Sequence, residues 1–144
     1  MPHISTKKIS DEHFKKIYQQ LISLFDTAGT KRKSDLLLGE ILTDTEKIML
    51  AKRLSIVYLL DEGVSTHNIS DTLSVSPSTV SRISLNYENN KYKYIKNILA
   101  KNKQAIWESL EEVIRIGAER YAGKGRWNWL NEAERRYDHK IFKD

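Results

Sequence analysis

The chain has 144 residues, of which 40% are hydrophobic and 30% are charged, and its net charge is +5. This length allows one domain with a buried core, and this composition excludes a disordered chain. The absence of Cys excludes disulfides and thiolate metal sites. No apolar run is long enough to span a bilayer, and the N-terminus lacks the apolar core of a signal peptide. We therefore expect a cytoplasmic protein with no membrane partner.

Helical periodicity of the apolar residues runs through most of the chain, and strand-like alternation is nearly absent. The first helix is predicted to begin at a cap formed by Ser10 or Asp11. The third is predicted to begin with a capping box formed by Thr43 and Glu46 and to end at Gly63. The first three helices are predicted over residues 10–28, 34–42 and 44–62. The pattern predicts an all-α protein.

The stretch STHNISDTLSVSPSTVSRI combines many hydroxyl side chains with regularly spaced apolar residues. Ser65 is placed to cap a short helix over 66–73, and Ser76 to cap a second helix that begins with proline. Three residues, 74–76, separate the two. Two short helices joined by such a turn are typical of a helix-turn-helix.

A helix-turn-helix needs a small shared core, and the two helices and their turn carry apolar residues at suitable positions. Ser70 supplies a small residue where the helices cross, and Ser74 occupies the turn position that usually prefers Gly. Five aliphatic side chains are spaced to share one small core: Ile69, Leu73, Val75, Val80 and Ile83. The alternative is a helical hairpin without a DNA-binding role.

A recognition helix enters the major groove with its N-terminus first, so its first residues face base edges and phosphates. Hydroxyls can bond both, and an Arg can bind a phosphate or hold a guanine through two hydrogen bonds. The predicted DNA-binding residues are Thr66, His67, Ser76, Ser78, Thr79, Ser81, Arg82, Lys91 and Lys93. For any single Ser, the alternative is a capping or solvent-facing role.

The stretch from Lys91 to Lys103 contains five Lys and no acidic residue. It follows the predicted recognition helix directly, so it can extend the contact with the DNA backbone or line a dimer surface. Positive charge alone is also typical of an ordinary solvated surface. The tyrosines at 87, 92 and 94 are interpreted as partly buried packing residues rather than base-stacking ones.

The run ILTDTEKIMLAKRLSIVYLLDEGVSTHNISDTLSVSPSTVSRISLNYEN resembles the Trp repressor family, and its broader bacterial branch more than the tryptophan-responsive members. The likeness lies in the LT-x-x-E-x-x-x-L-x-x-R opening, the long helix ending in Gly and the recognition helix STVSR. It covers approximately residues 10–103. The resemblance implies an intertwined homodimer whose two recognition helices read successive major grooves of a pseudo-palindromic operator.

From the motif and the resemblance we expect a Trp repressor-like helical domain with a helix-turn-helix over residues 1–103, for DNA binding and dimerisation. A C-terminal helical extension follows over 104–144. The expected function is that of a sequence-specific double-stranded DNA-binding transcriptional regulator. It would act as a dimeric repressor that reads the major groove with the helix at 77–86. The alternative is a non-catalytic protein-interaction or structural module with a repurposed helix-turn-helix.

The resemblance also bears on an effector. In tryptophan-responsive relatives two Arg residues flank the indole, and Arg53 and Arg82 stand at the corresponding positions. A Gly that leaves room for the ring is replaced here by Ile83, and a Ser that helps to bind the amino group is replaced by Asn86. We therefore expect no tryptophan co-repressor and no other cofactor. A different effector bound by Arg53, Arg82 and Asn86 remains open.

The C-terminal segment holds all three Trp, at 107, 127 and 129. They are interpreted as packing the added helices onto the core or across the dimer. The alternative is an appendage that binds a partner or nucleic acid.

No catalytic constellation is recognisable. The four His are scattered without metal-ligand spacing, and neither a phosphate-binding Gly-rich loop nor a nucleophile elbow is present. We expect neither an enzyme nor a metal site.

Overall fold

The computed structural model describes the backbone of residues 9–120 and the side chains of residues 9–111. All of the regular structure in this part of the chain is α-helical, which confirms the predicted all-α class. The chain forms two compact units that divide between Lys47 and Ile48. The domain boundary predicted after residue 103 stays a prediction. No helix within residues 9–120 is long and apolar enough to cross a bilayer.

The first unit contains two helices that pack against each other, α1 (Asp11–Ala28) and α2 (Lys31–Ile41). Of the two predicted cap candidates, Ser10 caps α1 by accepting a hydrogen bond from the backbone N–H of His13, and Asp11 is the first residue of the helix. The predicted start of α2 at residue 34 is wrong. Thr30 accepts from the N–H of Lys33 at 3.4 Å, so the helix begins at Lys31. Neither helix has a buried residue.

Helix α3 (Asp44–Asp61) begins with the predicted capping box. The N–H of Glu46 donates to the Thr43 hydroxyl at 3.3 Å, and the N–H of Thr43 donates to the Glu46 carboxylate at 2.9 Å. The backbone N–H and the hydroxyl of Thr43 both stabilise the charged carboxylate, which lowers the pKa of Glu46 below its ordinary value. Beyond the end of α3, Gly63 has a φ of 79°, the left-handed stop that the sequence predicts.

The second unit contains the rest of α3 and four further helices. These are α4 (Thr66–Leu73), α5 (Pro77–Glu88), α6 (Lys93–Lys101) and α7 (Lys103–Arg120). Helix α4 packs against both α5 and α7, and α6 packs against α7. The helix-turn-helix predicted from the sequence is therefore present as α4 and α5. Helix α5 extends two residues beyond the predicted end at 86.

The core of this unit is built around the C-terminal part of α3. Residues 55–59 are all buried, so this part of the helix is surrounded rather than packed on one face only. The buried hydrophobic residues of the core are Ile56, Val57, Tyr58, Leu59, Val64, Ile69, Leu73, Val80, Ile83, Leu99 and Trp107. Four of the five aliphatic residues predicted to form the motif's core are among them, and Val75 packs against the cluster from a half-buried position.

Trp107 of α7 is only 3% exposed within this core. The interpretation that the tryptophans pack the C-terminal segment onto the core is therefore confirmed for Trp107. Trp127, Trp129 and the part of the predicted C-terminal extension beyond residue 120 lie outside the described residues.

The turn between α4 and α5 contains a non-glycine residue in the left-handed region. Ser74 has φ 49° and ψ 55°, a conformation that costs a residue with a Cβ roughly 1–3 kcal/mol. Ser70, a buried residue of α4, donates its hydroxyl to the carbonyl of Val75 at 2.6 Å. The Val75 N–H donates in turn to the Ser70 carbonyl. These two bonds hold the turn in shape, and the Lys52 ammonium donates to the Ser74 carbonyl at 3.2 Å.

Replacing Ser74 by Gly removes the strain at the Cβ. We expect Ser74→Gly to raise the free energy of unfolding by about 0.5–1 kcal/mol in a urea titration, after allowance for the greater freedom of Gly in the unfolded chain. The matched control is Ser109→Gly in the exposed middle of α7, where the same substitution lowers stability by about 0.5 kcal/mol. Equal losses in the two variants would contradict the strain at Ser74.

Candidate nucleic-acid interface

Helix α5 has one buried face and one exposed face. Val80 and Ile83 are 0% and 4% exposed, which anchors their side of the helix in the core. Because residues three and four apart share a helix face, the opposite face is presented to solvent. The exposed side chains there are Ser78, Ser81, Arg82 and Leu85. Three of these are predicted DNA-binding residues, and the structure brings them together on one surface.

The N-terminus of α5 carries a small hydroxyl network. Ser76 caps the helix by accepting from the N–H of Thr79 at 3.3 Å, and its hydroxyl lies 2.8 Å from that of Thr79 and 3.2 Å from that of Ser78. Ser76 and Ser78 are exposed and Thr79 is half-buried. These hydroxyls are therefore held in place by one another at the N-terminus of α5, the end of the helix dipole that favours an anion.

The first turn of α4 presents the other two predicted contacts of the motif. Thr66 and His67 are both exposed, directly after the capping residue Ser65. The His67 Nε2 lies 3.6 Å from a carboxylate oxygen of Asp71, one turn further along the helix. Asp71 therefore offers the His67 ring a polar neighbour within the same helix.

The Lys-rich stretch does not form one uniform positive surface. Lys91 and Lys93 are exposed and remain candidates for contact with the DNA backbone. Lys96 instead lies over the ring of Tyr87, 4.3 Å from its centre, and Lys103 forms ion pairs with two carboxylates. Lys96 and Lys103 of this Lys-rich stretch therefore make contacts within the protein.

The family model described as the Trp repressor protein matches residues 16–102 of this chain. The chain belongs to the Trp repressor family. This is a family of DNA-binding transcriptional regulators rather than of enzymes, which confirms the resemblance and the broad class of function. No curated protein and no solved structure matches the chain significantly.

In this Trp repressor family member, the residues at the positions that the resemblance links to an effector differ in how deeply they are buried. Ile83 is part of the core, as its spacing predicts, whereas Arg53 and Arg82 are exposed and Asn86 is half-buried. No group of three or more potential metal ligands is found among the residues that the structure describes.

Two surface residues with potential roles were not predicted from the sequence. Leu85 is 59% exposed on the same face of α5 as Arg82, where an apolar side chain can contact a thymine methyl group. Leu85 follows Ser81 by four residues, and this spacing predicts that both lie on the same face of the helix. Lys52 reaches the turn of the motif from α3, a contact between residues 22 apart in the chain that local patterns do not reveal.

The tyrosines of this region differ in their environments. Tyr87 and Tyr92 pack against the core, as interpreted from the sequence, but Tyr94 is 76% exposed, so the interpretation is wrong for Tyr94. The Tyr87 hydroxyl donates to Asp61 at 2.9 Å. Burial, and then the bond to this carboxylate, raise the pKa of Tyr87 above its ordinary value.

Shortening a side chain to Ala should affect stability differently on the two faces of α5. We expect Ile83→Ala to lower the free energy of unfolding by about 2–5 kcal/mol, because it removes buried methylenes and leaves a cavity. Leu85→Ala on the exposed face is the matched control and should change stability by about 0.5 kcal/mol or less. Urea unfolding followed by circular dichroism measures both. A well-tolerated Ile83→Ala would show that Ile83 is not a core residue.

Proposed function

We propose that this protein is a sequence-specific, dimeric transcriptional regulator that reads the major groove of double-stranded DNA with α5 and represses by occlusion. The observation that carries the proposal is the exposed polar face of α5 at its capped N-terminus, opposite the buried Val80 and Ile83. The proposed binding to DNA is consistent with the cytoplasmic location expected from the sequence.

Each part of the exposed surface suits a different part of DNA. Ser78 and Ser81 offer short donors and acceptors to base edges or phosphates, and Arg82 matches the two acceptors of guanine. The backbone contacts come from Thr66 and His67 of α4 and from the two exposed lysines that follow α5. Phosphate contacts supply affinity and base contacts supply the sequence preference.

The dimer is supported by apolar surface that the single chain leaves exposed. Helix α1 has no buried residue, although it carries large apolar side chains at helical spacing, and the N-terminal part of α3 is also exposed. A second copy of the chain supplies the kind of surface that such helices require, in agreement with the intertwined dimer implied by the family. The large exposed hydrophobic residues of these segments are Phe14, Ile17, Tyr18, Ile22, Leu24, Ile48, Met49, Leu50 and Leu54.

Repression follows most simply from the dimer and its binding mode. A protein bound across two successive major grooves blocks access of other proteins to the same DNA. No effector is needed for this action. We propose that L-tryptophan is not a co-repressor, because Ile83 is buried in the core and stands where the resemblance puts the Gly that leaves room for the ring in tryptophan-responsive relatives.

Selection of bound duplexes from a random library tests the function. We expect enrichment of pseudo-palindromic sequences, with half-sites spaced by about one helical turn, and an affinity that falls steeply with salt. A protein-interaction module that uses the exposed Leu85 face for another protein should enrich no sequence and bind little duplex DNA at any salt concentration. That result would overturn the proposal.

Within this function, Arg82 is the residue expected to read a base. We expect Arg82→Ala to weaken binding of the selected duplex by about 1–3 kcal/mol. Arg32→Ala, which removes the same charge from an exposed position in α2, is the control and should have little effect. Fluorescence anisotropy titrations measure both affinities. An unchanged affinity of Arg82→Ala would remove this residue from the contacts.

A ligand that binds the folded state raises its melting temperature. We expect saturating L-tryptophan to leave the melting temperature of the wild-type protein unchanged in a thermal scan followed by circular dichroism. A clear rise would show that Ile83 leaves room for the ligand.

The dimer is tested by placing a carboxylate on the apolar face of α1. Ile17 is 60% exposed in the single chain, so Ile17→Glu should leave the monomer intact but convert dimer to monomer in sedimentation-velocity runs. Gln19→Glu, which places the same charge on the other side of α1, should remain dimeric. Monomeric wild-type protein at micromolar concentration would contradict the dimer.

A further inference from the structure

Three polar side chains connect the ends of three helices in the second unit. The Tyr87 hydroxyl, near the end of α5, donates to Asp61 Oδ1 at the end of α3. The other oxygen of Asp61 lies 3.3 Å from the ammonium of Lys103, the first residue of α7. Lys103 also donates to the carboxylate of Glu62 at 2.9 Å.

These groups are partly withdrawn from water. The side chains of Asp61 and Glu62 are 16% and 8% exposed, and that of Lys103 is 35% exposed. Ion pairs and charge-assisted hydrogen bonds in such positions are screened less than those on the surface. The hydrogen bond to Glu62 is the main cause of a pKa of Lys103 above its ordinary value. The cation therefore stays charged and holds both acids.

Tyr87 lies near the C-terminal end of α5, where its hydrogen bond can hold that end of the helix in place. Val80 and Ile83 fix the helix in the core over its first two turns. Tyr87 lies on the same face, one turn beyond Ile83, and its ring is covered by the ammonium of Lys96. Apolar packing alone allows small rotations and tilts, whereas a directed hydrogen bond at the far end of a helix fixes its angle.

We propose that Asp61, Tyr87 and Lys103 form a brace that sets the angle of α5, so that α7 is a positioning element for DNA reading. The family match ends at residue 102, and the cation of the brace is the next residue. The inference rests on the proposed DNA-binding function. It assigns positioning roles to Tyr87 and Lys103, because neither needs to contact DNA.

The brace itself is tested without DNA. Tyr87→Phe keeps the ring, and with it the packing and the cation contact, but removes the hydroxyl bonded to Asp61. In the free protein, hydrogen exchange measured by NMR at the amides of residues 84–88 should become about fivefold to tenfold faster, the loss expected for one hydrogen bond. Tyr94→Phe removes an exposed hydroxyl from the neighbouring helix and should leave exchange unchanged.

The consequence for DNA reading is tested with the duplex selected by the wild-type protein and a random-sequence duplex. We expect Tyr87→Phe and Lys103→Gln each to lower the ratio of selected to random affinity by about fivefold to tenfold. Lys101→Gln, with the same loss of charge at an exposed site, should preserve the ratio, and Lys103→Arg should restore it. Partial unfolding reduces both affinities equally, so it leaves the ratio unchanged.

The outcomes are separable. Equal exchange rates in Tyr87→Phe and Tyr94→Phe would overturn the brace. Faster exchange with an unchanged affinity ratio would overturn the positioning role of α7 in DNA reading. If the wild-type protein enriches no duplex at all, the proposed DNA-binding function fails, and the exchange comparison alone decides whether the brace holds α5.

Discussion

Burial of Val80 and Ile83 is the constraint on which the candidate DNA-binding surface depends. Both side chains belong to the core that surrounds the C-terminal part of α3, together with Ile69 and Leu73 of α4. A helix that buries one face must present the other, so this packing determines which residues of α5 face outward. The polar surface is therefore a consequence of the apolar core, and a change in the core would move the polar side chains without altering any of them.

The C-terminal helix contributes to this arrangement in two ways. Trp107 of α7 is buried in the same core as the helix-turn-helix, and α7 packs directly on α4. Lys103, at the start of α7, pairs with the acidic residues that end α3. Although α7 begins after the segment matched by the Trp repressor family, it is part of the structural unit that presents α5. Residues beyond the segment matched by the family are thus part of the packing that holds the helix-turn-helix.

Apolar residues are distributed differently in the two units. The second unit has a buried core, although its large aliphatic residues Ile48, Met49, Leu50, Leu54, Leu85 and Ile98 remain exposed, whereas α1 and α2 have no buried residue. Exposed apolar helix faces are costly in water, and proteins commonly cover them by association with another surface. The same sequence therefore contains one unit with a buried core of its own and one whose helices bury no residue within the single chain.

The sequence by itself determined the features that depend on neighbouring residues. Ser10, the Thr43–Glu46 capping box, the stop at Gly63 and the two helices of the motif were all predicted, because caps, turns and helical faces are set within a few positions. Helix α2 begins earlier than predicted because Thr30 caps it. Only the tertiary structure decided that Tyr87 pairs with Asp61 and that Lys103 pairs with Glu62. These partners are 26 and 41 residues apart in the chain. Pairing over such distances depends on how the helices pack, and no local pattern records it.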